Sequence, residues 1–197
     1  MEGAEILLKT LRSKVQVPDN EFCEYMALTE LRNFKKNEII INEGSIQRFN
    51  IFILKGCIRT FNTTADGTEK TIYFAEEGYW TGDLESLRNA APAKQSFQAL
   101  EETKVLTLSK DKWELSYKKY KWVAEIHALG LQKRTSRLSE HIGRMLTDLP
   151  GENYRRLLTE RPSLVQRVPL YHIASYLGIS AETLSRIRKK ISTPDIS

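Results

Sequence analysis

Residues 168–191, VPLYHIASYLGISAETLSRIRKKI, constrain this chain more than any other stretch. They read as two short helices joined by a tight turn. Ile173, Ala174 and Leu177 fall at i, i+1 and i+4 and place an apolar stripe on the first helix. Gly178 follows, where the chain needs a residue that tolerates a left-handed backbone. Ile179 is placed to fill the angle between the helices. Ser180 is a good N-cap, and Glu182 suits the positive end of a second helix. Leu184, Ile187 and Ile191, spaced three and four apart, give that helix a buried face. Its other face carries Ala181, Glu182, Ser185, Arg186, Lys189 and Lys190. Small first-turn residues, one side chain of each charge and then cations suit a helix laid into the major groove of DNA. The plainer alternative is a pair of surface helices with a basic end.

The segment IASYLGISAETLSRIRKK closely resembles the C-terminal helix-turn-helix of the Crp/Fnr transcription regulators. The resemblance implies that a sensory β-roll and a dimer-forming helix precede it. The expected fold is α+β: an N-terminal double-stranded β-helix (jelly roll) flanked by helices, a long dimerisation helix, and a C-terminal helical (winged) helix-turn-helix domain.

The rest of the chain is consistent with that plan. Its 197 residues, 41% hydrophobic, suffice for one large or two small domains with real cores. The net charge is +5, and from Gly151 onward eight basic residues face four acidic ones, which suits a polyanionic partner. Two cysteines in separate segments, Cys23 and Cys57, offer neither metal-ligand spacing nor a disulfide framework, so a reducing cytoplasm is the expected setting. Cys23 is expected to be a small buried or half-buried hydrophobe. The N-terminus lacks a signal peptide's apolar run, and no stretch approaches the ~20 apolar residues that span a bilayer, so no membrane partner is expected.

Ile6, Leu7 and Leu11 mark one short helix, and Phe22, Tyr25, Met26, Leu28 and Leu31 a second. From about 34 to 108 the texture turns to β. Strands are expected at Ile39–Ile41, Asn50–Leu54, Cys57–Thr63, Thr68–Phe74, Ser96–Leu100 and Lys104–Ser109, and Asp66-Gly67 is a strong hairpin signal. Many short strands with regular turns indicate a sandwich or barrel, and a jelly roll leaves few free edges.

The spacing NEG…FILKG…DGTEKTIYFAEEGYWTGDLES resembles the cyclic-nucleotide-binding β-roll of the same family. There a Gly-Glu-Leu segment presents backbone N–H groups and a ribose-binding Glu, and an Arg about ten residues later, followed by Ser or Thr, pairs with the phosphate. The resemblance maps these ligand-binding positions onto Gly82, Asp83, Leu84, Lys94 and Ser96. Asp83 is one methylene shorter than Glu, and Lys94 supplies a point charge where a guanidinium would bind bidentately. Arg88 comes too early to replace that arginine. An ordinary cyclic-AMP site is therefore not expected, and Gly82-Asp83-Leu84 also reads as a capped turn kept for the fold. No cofactor is assigned. Another small-molecule effector in the same cavity, shaped by Tyr79, Trp80 and Phe97, is the remaining option.

None of the three histidines, His127, His141 and His172, lies in the β-rich stretch, so a metal enzyme of the jelly-roll type lacks its ligands. No nucleophile triad or phosphate loop stands out, and no catalytic residue is assigned. His127 and His141 are expected at the surface or an interface.

Leu131, Leu138 and Met145, and likewise Thr135, Ile142 and Leu149, recur every seven residues, which argues for a helix–helix seam. The same stripe would also serve to pack the helix on its own β-roll. Lys133, Arg134, Arg137 and Arg144 line its polar side as a solvated face. Pro150 ends the helix. The expected organisation is a sensor over 1–118, a dimerisation helix over 119–149 and a DNA-binding domain over 150–197. In the resembled family the Glu and Arg of E-T-x-x-R read base edges, which points to Glu182 for cytosine N4 and Arg186 for guanine. Ala181 could meet only a thymine methyl. Ser180, Thr183, Arg188, Lys189 and Lys190 are candidates for phosphate. The resemblance implies three partners: double-stranded DNA, a second copy of the chain and RNA polymerase. The alternative is a ligand-binding or interaction module that no longer binds DNA.

Overall fold

The structure, a computed structural model, describes residues 2–192. The chain forms two compact units, one comprising residues up to 62 and 73–134, the other 63–72 and 135 onward. Residues 193–197 of the expected DNA-binding segment lie outside the described residues.

The first unit begins with helices α1 (Glu2–Arg12) and α2 (Asp19–Leu28). Strands β1 (Glu30–Phe34), β2 (Ile39–Ile41), β3 (Phe49–Lys55), β4 (Ile58–Thr63), β5 (Glu69–Ala75) and β6 (Trp80–Thr81) follow. Then come helix α3 (Leu84–Asn89), strands β7 (Ser96–Ala99) and β8 (Thr103–Ser109), helix α4 (Lys110–Lys119) and the long helix α5 (Lys121–Thr147), which belongs to this unit up to Arg134. Two four-stranded sheets form, in the orders β1-β8-β3-β6 and β2-β7-β4-β5. This is the jelly-roll-like double sheet expected from the strand spacing.

Two strands escaped the sequence reading. Strand β1 lies where the second helix was extended to Leu31 and is mostly exposed. Its Glu30 to Phe34 pair in register with Thr107 to Thr103, so a partner some seventy residues away makes it a strand. Leu31 is 54% exposed and anchors no helix. Strand β6 has only two residues, pairing Trp80 with Phe52 and Thr81 with Ile51.

The helices bury one face against β3 and β8. Leu7 and Leu11 of α1, Phe22 and Tyr25 of α2, Phe52 of β3, Leu108 of β8, and Trp113, Trp122 and Ile126 form one cluster. The Tyr25 ring meets Trp122 edge-on at 5.0 Å. Each such side chain contributes about 1.5–3 kcal/mol by leaving water. Cys23 is exposed, contrary to expectation. It lies one residue off the Phe22–Tyr25 stripe, and one residue is about 100° of helix.

The first turns of α5 belong to this core. His127 is half-buried beside it, four residues after Val123 on the same side of α5, and its Nε2 is fully covered. Its ring centroid is 5.4 Å from that of Trp80 and 5.2 Å from that of Tyr117. Burial pushes its pKa down from 6.5 to about 4.

The second unit contains the tip of the β4–β5 hairpin and the helical C-terminal region. The tip turns through Gly67 at φ +83°, with the Thr64 N–H donating to Thr68 O at 2.9 Å. Helices α6 (Pro150–Glu160), α7 (Pro162–Arg167), α8 (Leu170–Tyr176) and α9 (Ala181–Ser192) follow the end of α5. Tyr154, Leu157, Leu164, Val168, Ile173, Leu177 and Leu184 are buried. From 135 to 192 no described residue is in a strand, so the wing of the expected winged domain is not formed there. Proline accounts for part of this: Pro150 and Pro162 occupy first helical positions and favour helix at each restart.

His127 makes stability depend on pH with a defined sign. The fold favours the neutral imidazole, so the unfolded chain takes up the proton first as pH falls. Stability should be lost from about pH 6.5 downward, by up to about 3 kcal/mol near pH 4. Urea denaturation at several pH values should show a shallower acid loss for His127→Gln than for the parent chain. Equal slopes would place the titration elsewhere.

Candidate functional site

In the second unit, α8 and α9 are joined by a turn through Gly178 at φ +71°. The Gly178 N–H donates to Ser175 O at 3.1 Å and the Ile179 N–H to Ala174 O at 3.0 Å, which closes α8. Ser180 caps α9: its Oγ accepts the Thr183 N–H at 3.1 Å and lies 3.0 Å from Thr183 Oγ1. Two hydroxyls assigned to phosphate are therefore engaged with each other at the helix start. Leu184 is fully buried and anchors α9. Ala181, Glu182, Arg186, Arg188, Lys189 and Lys190 are exposed, and Ser185 is half-buried. Glu182, Arg186, Lys189 and Lys190 recur at i, i+4, i+7 and i+8 and share one face. Arg188 lies about 200° from Arg186 around the helix.

In the first unit, the turn Gly82-Asp83 opens α3. Gly82 has φ +124°, and a Cβ there would collide with the Gln47 amide. Gln47 uses that amide to fix the turn: its Oε1 accepts the Asp83 N–H at 2.6 Å and its Nε2 donates to Phe49 O at 2.8 Å. Asp83 is committed as a cap. Its Oδ1 accepts the Glu85 and Ser86 N–H groups, each at 3.0 Å, and its Oδ2 accepts the Lys94 N–H at 2.9 Å. The Lys94 ammonium pairs with Glu85 at 2.6 Å, which raises its pKa.

A groove lies beside this turn. Gly82, Asp83, Leu84 and Lys94 line it, as expected, together with Asn62, Gln95 and Arg134. Ser96 does not: it is buried, and its Oγ accepts the Glu43 N–H at 2.9 Å. Arg134, read from sequence as solvated, donates from Nη1 to Gly82 O at 3.4 Å. Its place in the groove depends on the packing of α5, and no spacing in the sequence signals it. Gln47 was missed for the same reason, lying 36 residues from Asp83.

A cavity of about 380 Å³, more apolar than the groove, shares Gly82, Leu84 and Arg134 with it. Tyr79 and Trp80 line it, with Tyr73, Leu84, Ile126 and His127. Phe97, also expected to shape a ligand cavity, is fully buried and pairs with Ile41 and Thr60 in the sheet. Among the described residues no group of three His, Cys, Asp or Glu side chains could hold a metal ion, and no helix is long and apolar enough to cross a membrane.

Residues 31–120 match the family model of the cyclic nucleotide-binding domain. No curated protein matches the chain by sequence. Solved structures share the fold well beyond residue 120. FixK2 from Bradyrhizobium japonicum is 18% identical, with a TM-score of 0.69 over 83% of this chain and 84% of that one. The c-di-GMP-responsive global regulator CLP of Xanthomonas campestris is 14% identical, with a TM-score of 0.72 over 89% and 92%. The catabolite activator protein of Thermus thermophilus is 19% identical, with a TM-score of 0.59 over 93% and 86%.

If Asp83 is a structural cap, removing it should cost stability in the free protein. Asp83→Ala should lower unfolding free energy by about 1–2 kcal/mol in urea, since three backbone N–H groups lose their acceptor. No change would free the carboxylate for another role.

Proposed function

We propose that this chain is a dimeric, sequence-specific DNA-binding transcription regulator of the Crp/Fnr type. The observation that carries the reading is the exposed face of α9, where Glu182, Arg186, Lys189 and Lys190 follow a serine-capped start and a left-handed glycine turn. Arg186 would pair bidentately with guanine and Glu182 would accept from cytosine N4. Lys189 and Lys190 would hold phosphates and set position without reading sequence. Residues 1–118 would form the sensor, 119–149 the dimerisation helix and 150–197 the DNA-binding domain, with RNA polymerase a further partner. The solved regulators of this fold support the reading.

The apolar seam of α5 supports dimerisation. Leu131 is 57% exposed and Ile142 57%. A second copy would cover such side chains in the manner of a coiled-coil seam. Two recognition helices would then enter successive major grooves about 34 Å apart on a pseudo-palindromic site. The groove beside Asp83 does not suit an ordinary cyclic-AMP effect, because the carboxylate that would meet a ribose already accepts three N–H groups.

Selection of genomic fragments by the purified protein, repeated with cyclic AMP, tests the reading. An enriched two-fold-symmetric site, indifferent to cyclic AMP, is expected. On that site Arg186→Ala should cost about 1–3 kcal/mol at one base pair and relax specificity there. Lys189→Ala should weaken all duplexes alike and reduce the salt slope by about one. Equal loss on operator and scrambled DNA would remove Arg186 from base reading. No retention on DNA at low salt would favour a module that has abandoned it.

Dimerisation is checked separately. Sedimentation of Leu131→Glu combined with Ile142→Glu should give a monomer with unchanged far-ultraviolet dichroism. A dimer that persists in this variant would place the interface elsewhere.

A further inference from the structure

Within the second unit, the turn between α8 and α9 is seated on the later part of α5. The Leu177, Gly178 and Ile179 N–H groups close α8 onto Ile173 O, Ser175 O and Ala174 O at 2.9, 3.1 and 3.0 Å. Tyr176 O meets α5 instead, where His141 Nε2 lies 3.1 Å from it. A carbonyl only accepts, so His141 carries a hydrogen on Nε2 and donates it. The rings of the same two residues stack, with centroids 3.9 Å apart and planes 3° apart. Burial holds the imidazole pKa below the ordinary 6.5, so the ring is neutral at pH 7. One turn further along α5, Met145 Cε lies 2.9 Å from where a Cβ on Gly178 would stand. His141 and Met145 are four residues apart and share one side of the helix. Donor, ring and thioether methyl together hold the end of α8.

The apolar seam runs through the same turns. Met145 belongs to the repeat Leu131, Leu138, Met145, and Ile142 of the other repeat is next to His141. Beyond Gly178 the link to α9 is short, with Ser180 capping through the Thr183 N–H and Leu184 fully buried. The start of α6 gives a second anchor. Asn153 Nδ2 donates to Arg144 O at 3.1 Å, and Ile187 Cγ2 of α9 lies 3.9 Å from where a Cβ on Gly151 would stand.

We propose that His141 is a positioning residue that sets which half-site spacing the dimer accepts. It holds the end of α8 against the helix that carries the seam, and so fixes the distance and angle between two copies of α9. Adding one base pair between half-sites moves one of them by about 3.4 Å and about 34° around the duplex. A firm seat rejects that site, and a loose one follows it. Glu182 and Arg186 would read each half-site, and His141 would govern how two half-sites combine. The inference rests on the regulator reading and adds a specificity that α9 alone does not supply.

The probes are inverted repeats of the half-site recovered by fragment selection, at the selected spacing and with one base pair added or removed. They are titrated with the full chain and three variants. His141→Ala removes donor and ring, His141→Phe keeps a ring to stack, and His141→Gln keeps an N–H donor at similar reach. The parent chain should prefer the selected spacing at least tenfold. His141→Ala should reduce that preference to threefold or less, and His141→Gln should recover more of it than His141→Phe. Affinity for random duplex and sedimenting mass should stay those of the parent, which a general loss of structure would not leave intact. In the free protein, hydrogen exchange at the Leu177, Gly178 and Ile179 amides should be at least tenfold faster in His141→Ala, with the α6 amides unchanged. Unchanged exchange would overturn the seat without any DNA. Unchanged spacing preference in His141→Ala would overturn the positioning role and leave the regulator reading standing. A parent chain that selects no operator would overturn that reading and the spacing role with it.

Discussion

The Asp83 carboxylate fixes the turn on which the groove and the cavity both depend. One oxygen starts α3 and the other holds the chain at Lys94, where it turns into β7. Gln47 fastens the same turn from the opposite side, and only glycine fits at 82 under that amide. The groove beside the turn has Asp83 and Lys94 already engaged, and the more apolar cavity shares Gly82, Leu84 and Arg134 with it. Hydrogen-bond capacity is more informative here than shape, because Asp83 lines the groove yet already accepts three N–H groups.

Helix α5 does different work along its length. Trp122, Val123 and Ile126 bury one face in the sensor core. Leu129 and Leu131 line the cavity but are 39% and 57% exposed, and beyond them Ile142, Met145 and Leu146 are exposed too. The seven-residue repeats begin at Leu131 and Thr135, past the turns that the core buries. Periodicity reports that a face is apolar but not what covers it.

That distinction sets how much of the molecule was legible in advance. Six strands, the Asp66-Gly67 hairpin and the helix pair around Gly178 follow from local chemistry, and they were read correctly from residues alone. Strand β1 was not, because its edge position makes it mostly exposed and its pairing with β8 is remote in sequence. His127 was expected at the surface or an interface and is half-buried, with ring neighbours Trp80 and Tyr117 that come from distant elements and leave no trace in its spacing. Asp83 was recognised as a cap or a ligand, but the choice between them needed the Lys94 N–H, eleven residues away. Arg134 was read only as part of a solvated helix face, and Asn50 only as the start of a strand. Their significance lies in what surrounds them, which no spacing rule encodes.

An effector can alter DNA affinity only if it binds two states of the protein unequally. The chain passes between its two compact units at 62–63, 72–73 and 134–135. Tyr73 and Arg134 stand at two of these crossings, and both line the cavity. Their ring and guanidinium face each other at 5.9 Å. Arg134 also donates to Gly82 O at 3.4 Å. In the second unit the hairpin tip is held by one hydroxyl: Ser175 Oγ accepts the Thr71 N–H at 2.9 Å and donates to Glu69 O at 3.2 Å. Ser175 belongs to α8, the first helix of the proposed DNA-binding pair.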